Sequence, residues 1–296
     1  MQPNDAMASM TDRPPTVTRT LVVQSFRRTD VPAWIQRCLD SVQQWTRLRG
    51  FDYAFYGDEF YDLCGPDYLA RVDGNPRSIT NLARLEITRI KLAEGYDEVI
   101  WFDADVFVFD PDRMVVRTDA GYAFSHEAWV TKGTDGSANL AYTSLHNAAF
   151  IFTRRQTDLE LLIHIIRHIV MTRTIGSNYQ VGVRLISGLA YSMDIPVITC
   201  VGMFSPDLID AIADNRRRFM RDFARFHGHK MQAANLGWSQ AEHFTEARMM
   251  RAMDRLESTA GNVLNRYLDS APERSRLAHR PLRLLRRWFA GRETHS

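Results

Sequence analysis

The sequence has few cysteines and no large excess of charge of either sign. Only 3 of its 296 residues are cysteine, and none stands in a Cys-x-x-Cys pair, which argues against a disulfide framework and against a cysteine zinc site. With 37 Lys and Arg against 35 Asp and Glu the net charge is +2, so the composition does not indicate nucleic acid as a partner. We expect a globular protein from a reducing compartment.

Long apolar runs are also missing. The most apolar stretch, Leu159 to Met171, contains two charged residues and two histidines, so we expect no segment that spans a bilayer. The first 18 residues carry two adjacent prolines and no apolar core of the length that a secretory signal has. We therefore interpret 1–18 as a disordered lead and expect a cytoplasmic protein.

Short apolar runs alternate with segments of helical spacing. Residues 20–26 are apolar, the apolar residues of 32–48 recur at helical spacing, and an aromatic run follows at 51–59. A helix capped by Asn81 and ended by Gly95 then leads to a second apolar run. This alternation predicts an α/β fold with an open sheet and helices on both faces, whose ligands bind at the carboxyl ends of the strands.

The same patterns assign the rest of the chain. We predict strands at 121–125, 148–153 and 196–201, helices at 156–172 and 178–192, and a last strand at 219–229, FMRDFARFHGH. No internal repeat or long linker divides the sequence. It is therefore interpreted as one domain at 19–245, followed by a helical, basic tail at 246–296.

The segment with most chemical information is VIWFDADVFVF at 99–109, in which an apolar strand leads directly into Asp103 and Asp105. Residues two apart in an extended chain face the same way, with about 6–7 Å between Cα atoms, so both carboxylates can reach one divalent cation. Without a cation, like charges this close raise each other's pKa. A bare Asp-x-Asp is more often structural, but the strand before it favours a metal site here.

The surrounding residues resemble a known family. NLARLEITRIKLAEGYDEVIWFDADVFVFDP at 81–111 resembles the helix, strand and Asp-x-Asp core of GT-A glycosyltransferases, especially the glycogenin-type and mannosyltransferase-like families, and HNAAFIF at 146–152 is similar to their strand beside the sugar. The resemblance extends from Leu21 to Trp238. It implies a GT-A open mixed sheet and transfer of a sugar, most often from a UDP-sugar, to a glycan or glycolipid acceptor of cell-surface polysaccharide synthesis.

The resemblance also implies roles for single residues. Asp103 is expected to contact the metal and the donor ribose, and Asp105 to ligate the metal directly. Arg84 corresponds to a helix arginine that faces the donor diphosphate or sugar, and a permanently charged guanidinium suits phosphate oxygens. Asn147 corresponds to an asparagine that contacts the sugar. Gln180 stands where these families often have Asp-Gln.

A histidine near the C-terminal end usually completes a GT-A site, and RFHGHKM at 225–231 offers His227 and His229 as metal ligands. An imidazole ligand favours Mn²⁺ over Mg²⁺. We favour His227 because it directly precedes Gly228, where the backbone can approach a phosphate. Lys230 is then expected to neutralise the leaving diphosphate.

The stereochemistry of transfer stays open. Tyr179 stands where retaining enzymes of the glycogenin type tend to have an acidic residue. Inverting transfer requires a carboxylate that takes the proton of the acceptor hydroxyl. Glu127 and Asp207 are both candidates, and the sequence does not choose between them.

The tail is the basic part of the chain, since 271–296 contains seven arginines and two glutamates. Leu282, Leu285 and Phe289 fall on one side of a potential helix with arginines largely off it, a pattern typical of peripheral contact with an anionic membrane. A helix docked on the domain and a disordered tail are the alternatives. A membrane-bound tail would suit a lipid-linked acceptor.

Two rival functions come from other classes. A haloacid-dehalogenase-like phosphatase also places Asp-x-Asp after a strand, but it expects Thr or Val where Phe107 stands and a late acidic pair that this sequence lacks. The second rival is an inactive GT-A-like protein that binds a glycan or a partner without turnover. Binding of a metal-nucleotide discriminates both rivals from a transferase.

Overall fold

We describe the chain from a computed structural model, which covers residues 18–154, 158–173, 178–190 and 192–269. The strands are β1 (Thr20–Ser25), β2 (Asp52–Tyr56), β3 (Glu98–Phe102), β4 (Val106–Val108), β5 (Tyr122–Lys132), β6 (Ala138–Thr153), β7 (Val197–Ile198), β8 (Val201–Met203) and β9 (Ala233–Asn235). The helices are α1 (Ala33–Arg49), α2 (Pro66–Arg71), α3 (Pro76–Ala93), α4 (Asp158–Thr172), α5 (Val183–Leu189), α6 (Pro206–Ala213), α7 (Arg217–His227), α8 (Glu246–Ser258) and α9 (Asn262–Asp269).

The described strands form two sheets. The larger has six strands in the order β2-β1-β3-β6-β5-β7, and the smaller has three in the order β4-β9-β8. In the larger sheet β1 is parallel to β2 and β3, whereas β6 is antiparallel to both β3 and β5. The sheet is therefore mixed and open, as the sequence predicted.

Helices cover both faces of the larger sheet. Along β1, Val22 belongs to a buried cluster that contains Val42 and Trp45 of α1. Leu21 and Val23 belong to a second cluster with the buried residues of α3 and α4. Since successive residues of a strand face opposite sides, α1 packs on one face and the other two helices on the opposite face. The predicted α/β fold class, an open sheet with helices on both faces, is confirmed.

The predicted last strand at 219–229 is wrong. This segment lies in α7, and its buried residues recur at helical spacing: Phe219, Met220, Phe223, Ala224 and His227. Gly228, with φ 79°, ends the helix in the left-handed conformation that favours glycine. The aromatic residues suggested a strand, but their period is that of a helix.

The start of α3 was also placed too late. Asn75 caps this helix, because its side-chain oxygen accepts hydrogen bonds from the backbone N–H groups of Arg77 and Ser78, and Pro76 is the first helical residue. Asn81, the predicted cap, lies inside the helix and is buried. This earlier start adds a full turn to the face that packs on the sheet.

The packed core continues past the predicted domain boundary at residue 245. Met249 and Leu256 of α8 and Leu264 of α9 are buried in the cluster that also contains α1, α6 and α7. These helices therefore belong to the domain rather than to a separate tail. The basic amphipathic segment at 282–289 lies outside the described residues. Within them, no helix is both long and apolar enough to cross a membrane.

Candidate active site

Asp103 lies at the carboxyl end of β3, and its backbone is held from three sides. Its N–H donates to the carbonyl of Ala148 at 2.8 Å, and its own carbonyl accepts from the N–H of Val106 at 3.0 Å. That carbonyl also accepts from Nε2 of Gln24, at 3.2 Å. Gln24 is on β1, so the strands on either side of β3 both fix the motif. This places the carboxylate at the end of the parallel strands.

One oxygen of the Asp103 carboxylate has two partners. Nε1 of Trp101 donates to Oδ1 at 2.7 Å, and a guanidinium nitrogen of Arg84 lies 3.1 Å from the same oxygen. Oδ2 accepts no hydrogen bond from any residue that the structure describes. Because 23% of the Asp103 side chain is exposed, this carboxylate is held at one oxygen and open to a ligand at the other.

Arg84, on α3, is anchored beside the pair. One of its terminal nitrogens donates to the carbonyl of Asn147 at 2.6 Å, and Nε donates to the carbonyl of Thr80 at 3.1 Å. Its guanidinium also lies 5.6 Å from the ring centre of Trp101. The side chain is only 7% exposed. Arg84 thus bonds to Asp103 and to the backbone of Asn147, and its role toward the donor diphosphate or sugar stays a prediction.

Asp105 is the more buried carboxylate. Nδ2 of Asn235 donates to its Oδ1 at 2.6 Å, and the backbone N–H of Trp238 donates to its Oδ2 at 2.6 Å. Burial, together with the negative charge of Asp103, raises the pKa of Asp105 to about 7, and burial also raises the pKa of Asp103. A bound cation would favour the ionised form of both residues.

Asn147 faces α3 rather than open solvent. Its Nδ2 donates to Oδ1 of Asn81 at 2.9 Å, and the side chain is buried. Gly182 packs so closely on Asn81 that a Cβ there would lie 2.6 Å from Nδ2 of that asparagine. Gln180 is exposed in the 3₁₀ turn Asn178–Val181, two residues before this contact. Gln180 therefore lies two residues before the glycine that packs on Asn81, and its part in the site stays a prediction.

Sequence reasoning gave His146 no role, although it lies next to these residues. Its Nδ1 accepts a hydrogen bond from the N–H of Ala148 at 3.0 Å, so in the neutral ring Nε2 carries the proton. Burial and, secondarily, the charge of Arg84 lower the pKa of His146 to about 3. The half-buried imidazole is therefore a neutral hydrogen-bond donor over the physiological pH range.

Sequence reasoning also missed Trp101 and Asn235, whose side chains donate hydrogen bonds to Asp103 and Asp105 respectively. Trp101 precedes Asp103 by two positions, so strand alternation alone places both on one face of β3, and this signal was present in the sequence. Asn235 reaches Asp105 because β9 pairs with β4, with Val106 opposite Asn235. No local pattern indicates a pairing over 130 residues.

The contacts described for His227, one of the two predicted histidine ligands, are with residues other than Asp103 and Asp105. His227 is buried, with Nε2 3.4 Å from the carbonyl of Thr199 and its ring beside those of His126 and Phe223. His229 and Lys230 follow the end of α7 and are exposed.

Among the described residues, no group of three or more His, Cys, Asp and Glu side chains is placed to hold a metal ion. Among these residues the predicted combination of Asp103 and Asp105 with His227 or His229 is therefore not assembled, and the choice between Mn²⁺ and Mg²⁺ stays a prediction. The two carboxylates alone still fit a cation that takes its other ligands from substrate phosphates and water. Two features fit such a cation site: Oδ2 of Asp103 accepts no hydrogen bond from a described residue, and the pKa of Asp105 is raised.

No protein-family model matches the chain, and no curated protein matches it. A solved structure described as a glycosyltransferase involved in the glycosylation of the major capsid of PBCV-1 is similar over 79% of this chain and 98% of its own, with 8% sequence identity and a TM-score of 0.42. Similarity of this degree does not establish a shared activity.

Proposed function

We propose that this protein is a glycosyltransferase that uses a divalent cation and a nucleotide-diphosphate sugar. The observation that carries the proposal is the Asp103 and Asp105 pair at the carboxyl end of β3, with Arg84 bonded to the first carboxylate. This is the edge of an α/β sheet at which ligands bind. An aspartate pair and a permanent cation here suit a metal-bound diphosphate better than they suit a neutral ligand.

Each residue has a defined part in this proposal. A cation held by Asp103 and Asp105 would neutralise the charge that develops on the departing diphosphate. Arg84 holds one carboxylate oxygen and leaves the other directed outward. Asn235 and the N–H of Trp238 orient Asp105, so the two carboxylates keep their relative position before any substrate binds.

The finer features of the proposal come from the family resemblance. UDP is the first nucleotide to test and GDP the second, with Mn²⁺ or Mg²⁺ as the cation. The acceptor is proposed to be the hydroxyl of a glycan or a lipid-linked glycan, and the basic segment after residue 270 to contact an anionic membrane. Gln180 and Lys230 are proposed to contact the donor.

The two candidate bases differ in the structure. Asp207 lies in the first turn of α6, and its Oδ2 accepts the backbone N–H of Lys132 at 2.8 Å, which is a structural role at a helix N-terminus. Glu127 is buried and accepts the hydroxyl of Ser144 at 2.6 Å. Of these two candidate bases we propose Glu127, because the bond between Asp207 and the backbone of Lys132 already ties that carboxylate to β5.

The phosphatase alternative fits less well. Its nucleophile strand belongs to a parallel sheet, whereas β3 has the antiparallel β6 as one neighbour. The described residues also lack an acidic cluster for its Mg²⁺. An inactive binding protein keeps the same fold, and only a binding or activity measurement separates it from a transferase.

Calorimetric titration tests the proposal. UDP and GDP are titrated into the full chain with Mn²⁺, with Mg²⁺ and without either. We expect one nucleotide to bind only with a cation, and Asp103→Asn and Asp105→Asn each to weaken binding by at least about ten-fold, roughly the loss of one charge-assisted contact. The control is Asp119→Asn at an exposed carboxylate. Absence of nucleotide binding under all conditions would refute the proposal.

A further inference from the structure

The antiparallel pair of β5 and β6 carries an unusual set of side chains on one face. In its register Ser125 lies opposite His146, Glu127 opposite Ser144, and Trp129 opposite Tyr142. Paired residues, and residues two apart along a strand, share a face. These six residues therefore form one continuous row, which we call the hairpin stripe.

Side-chain contacts confirm the outer part of this arrangement. The hydroxyl of Ser144 donates to Oε2 of Glu127 at 2.6 Å, and the hydroxyl of Tyr142 lies 3.5 Å from Oε1. The rings of Trp129 and Tyr142 are parallel within 5°, with their centres 6.3 Å apart. Tyr142 is 40% exposed.

The alternate residues of β5 show that the stripe is not the core side of the hairpin. Ala128 and Val130 are fully buried in the cluster that includes α6 and α7. The stripe residues are instead polar or aromatic: Ser125 and Glu127 are buried, Trp129, Ser144 and His146 are half-buried, and Tyr142 is exposed. The outer end of the stripe thus presents the rings of Trp129 and Tyr142 to solvent.

The stripe begins at the candidate active site. His146, at its inner end, directly precedes Asn147, whose carbonyl accepts a hydrogen bond from Arg84, and Arg84 contacts Asp103. From His146 to Tyr142 the strand advances four residues, about 13 Å. A ligand on the stripe would therefore reach from the aspartate pair outward along the hairpin.

The chemistry of the stripe suits a neutral saccharide. Aromatic rings stack on the apolar faces of sugar rings, and hydroxyl and imidazole groups exchange hydrogen bonds with sugar hydroxyls. The stripe itself contains no lysine or arginine, so it offers nothing that selects an anionic ligand.

Glu127 is the residue that argues most strongly for a function. It is 4% exposed, and no lysine or arginine in the described part of the chain forms an ion pair with it. Burying an unpaired carboxyl is costly. In return, its oxygens accept hydrogen bonds from the hydroxyls of Ser144 and Tyr142, so Glu127 fixes the orientation of both hydroxyl groups.

We propose that the hairpin stripe is the acceptor subsite, which binds a short neutral oligosaccharide with Trp129 and Tyr142 stacked on it and with Glu127 as a positioning residue. This inference rests on the proposed function for the reaction, because it identifies the stripe ligand as the acceptor. Binding of the saccharide itself requires neither the nucleotide nor the cation.

The test uses NMR without any nucleotide. Neutral trisaccharides (maltotriose, cellotriose and mannotriose) and the acidic trigalacturonate are titrated into full-length protein with ¹⁵N-labelled tryptophan, whose six indole signals are assigned by substitution. We expect at least one neutral trisaccharide to shift the Trp129 signal. Trp129→Ala and Tyr142→Ala should each weaken its binding by about ten-fold. Thr143→Ala, on the opposite face of β6 from Tyr142, should change the affinity for the trisaccharide by no more than about two-fold.

A second variant tests Glu127 itself. In Glu127→Gln one acceptor oxygen becomes an amide donor, so the hydroxyls of Ser144 and Tyr142 must reorient. We expect weaker trisaccharide binding with no fall in the thermal unfolding midpoint, which a merely structural residue would lower.

The outcomes separate this inference from the proposed function. Nucleotide binding without any saccharide shift at Trp129 would overturn the acceptor subsite and leave the transferase proposal standing. Saccharide binding at Trp129 without nucleotide binding would support the stripe as a glycan site and refute the transferase. Equal shifts in wild type and Trp129→Ala would also overturn the subsite.

Discussion

At the residue scale, an ion pair and hydrogen bonds hold the two aspartates of the candidate site in place. Arg84 neutralises Asp103 in a place where neither would be stable alone, and Asp105 depends on a side-chain amide and a backbone N–H. The sequence indicated the aspartates and the arginine through residue type and spacing. It did not indicate Asn235, because the contact depends on strand pairing far along the chain.

Removal of Arg84 is expected to destabilise the fold. Arg84→Met leaves Asp103 without its cation and the carbonyl of Asn147 without its donor, and we expect the free energy of unfolding to fall by about 2–4 kcal/mol. The matched control is Arg113→Met, whose side chain is 78% exposed although it also pairs with an aspartate. Urea denaturation measures both, and equal losses in the two variants would contradict the role given to Arg84.

Glu127 should make stability depend on pH. Burial raises its pKa from 4.5 to about 7, so between these values the unfolded state loses this proton and the folded state keeps it. The free energy of unfolding of the wild type should therefore fall, relative to Glu127→Gln, as the pH rises through this window, by about 3 kcal/mol at most. Urea denaturation of both proteins at about pH 5 and about pH 8 checks the sign of this difference. The same change in the free energy of unfolding in wild type and Glu127→Gln would contradict the prediction.

At the element scale, spacing predicted some helices and strands and missed others. The apolar spacing of 32–48 predicted α1, and the apolar run before Asp103 predicted β3; the structure has both. The segment that became α7 was misassigned because its aromatic residues have high strand propensity. Its helical period, with polar arginines between the buried rings, was the better signal.

At this scale, the contact between Gly182, just before α5, and Asn81 of α3 gives a prediction. Gly182→Ala places a Cβ 2.6 Å from Nδ2 of Asn81, so Asn81 must move and its hydrogen bond with Asn147 is strained. We expect the free energy of unfolding to fall by about 1–3 kcal/mol. Gly188→Ala is the matched control in α5, where a Cβ meets nothing within 4 Å. Thermal unfolding should show a loss only in the first variant, and an equal effect in both would contradict it.

At the scale of the whole molecule, alternating strand and helix patterns predicted an open α/β sheet with helices on both faces, and the structure has one. Two features were beyond sequence reasoning. The reversal of β6 between β3 and β5 depends on long-range pairing. The inclusion of α8 and α9 in the core depends on complementary apolar surfaces on α1, α6 and α7, whereas composition alone made this region resemble the start of a tail.

The central claim is that the aspartate pair binds a cation together with a nucleotide diphosphate. Electron paramagnetic resonance of Mn²⁺ tests it directly, because free and protein-bound Mn²⁺ give different signals. With UDP or GDP present, the wild-type protein should remove more free Mn²⁺ than the nucleotide does alone, and Asp103→Asn should remove no more than the nucleotide does. Equal free Mn²⁺ with and without wild-type protein, for both nucleotides, would contradict the account.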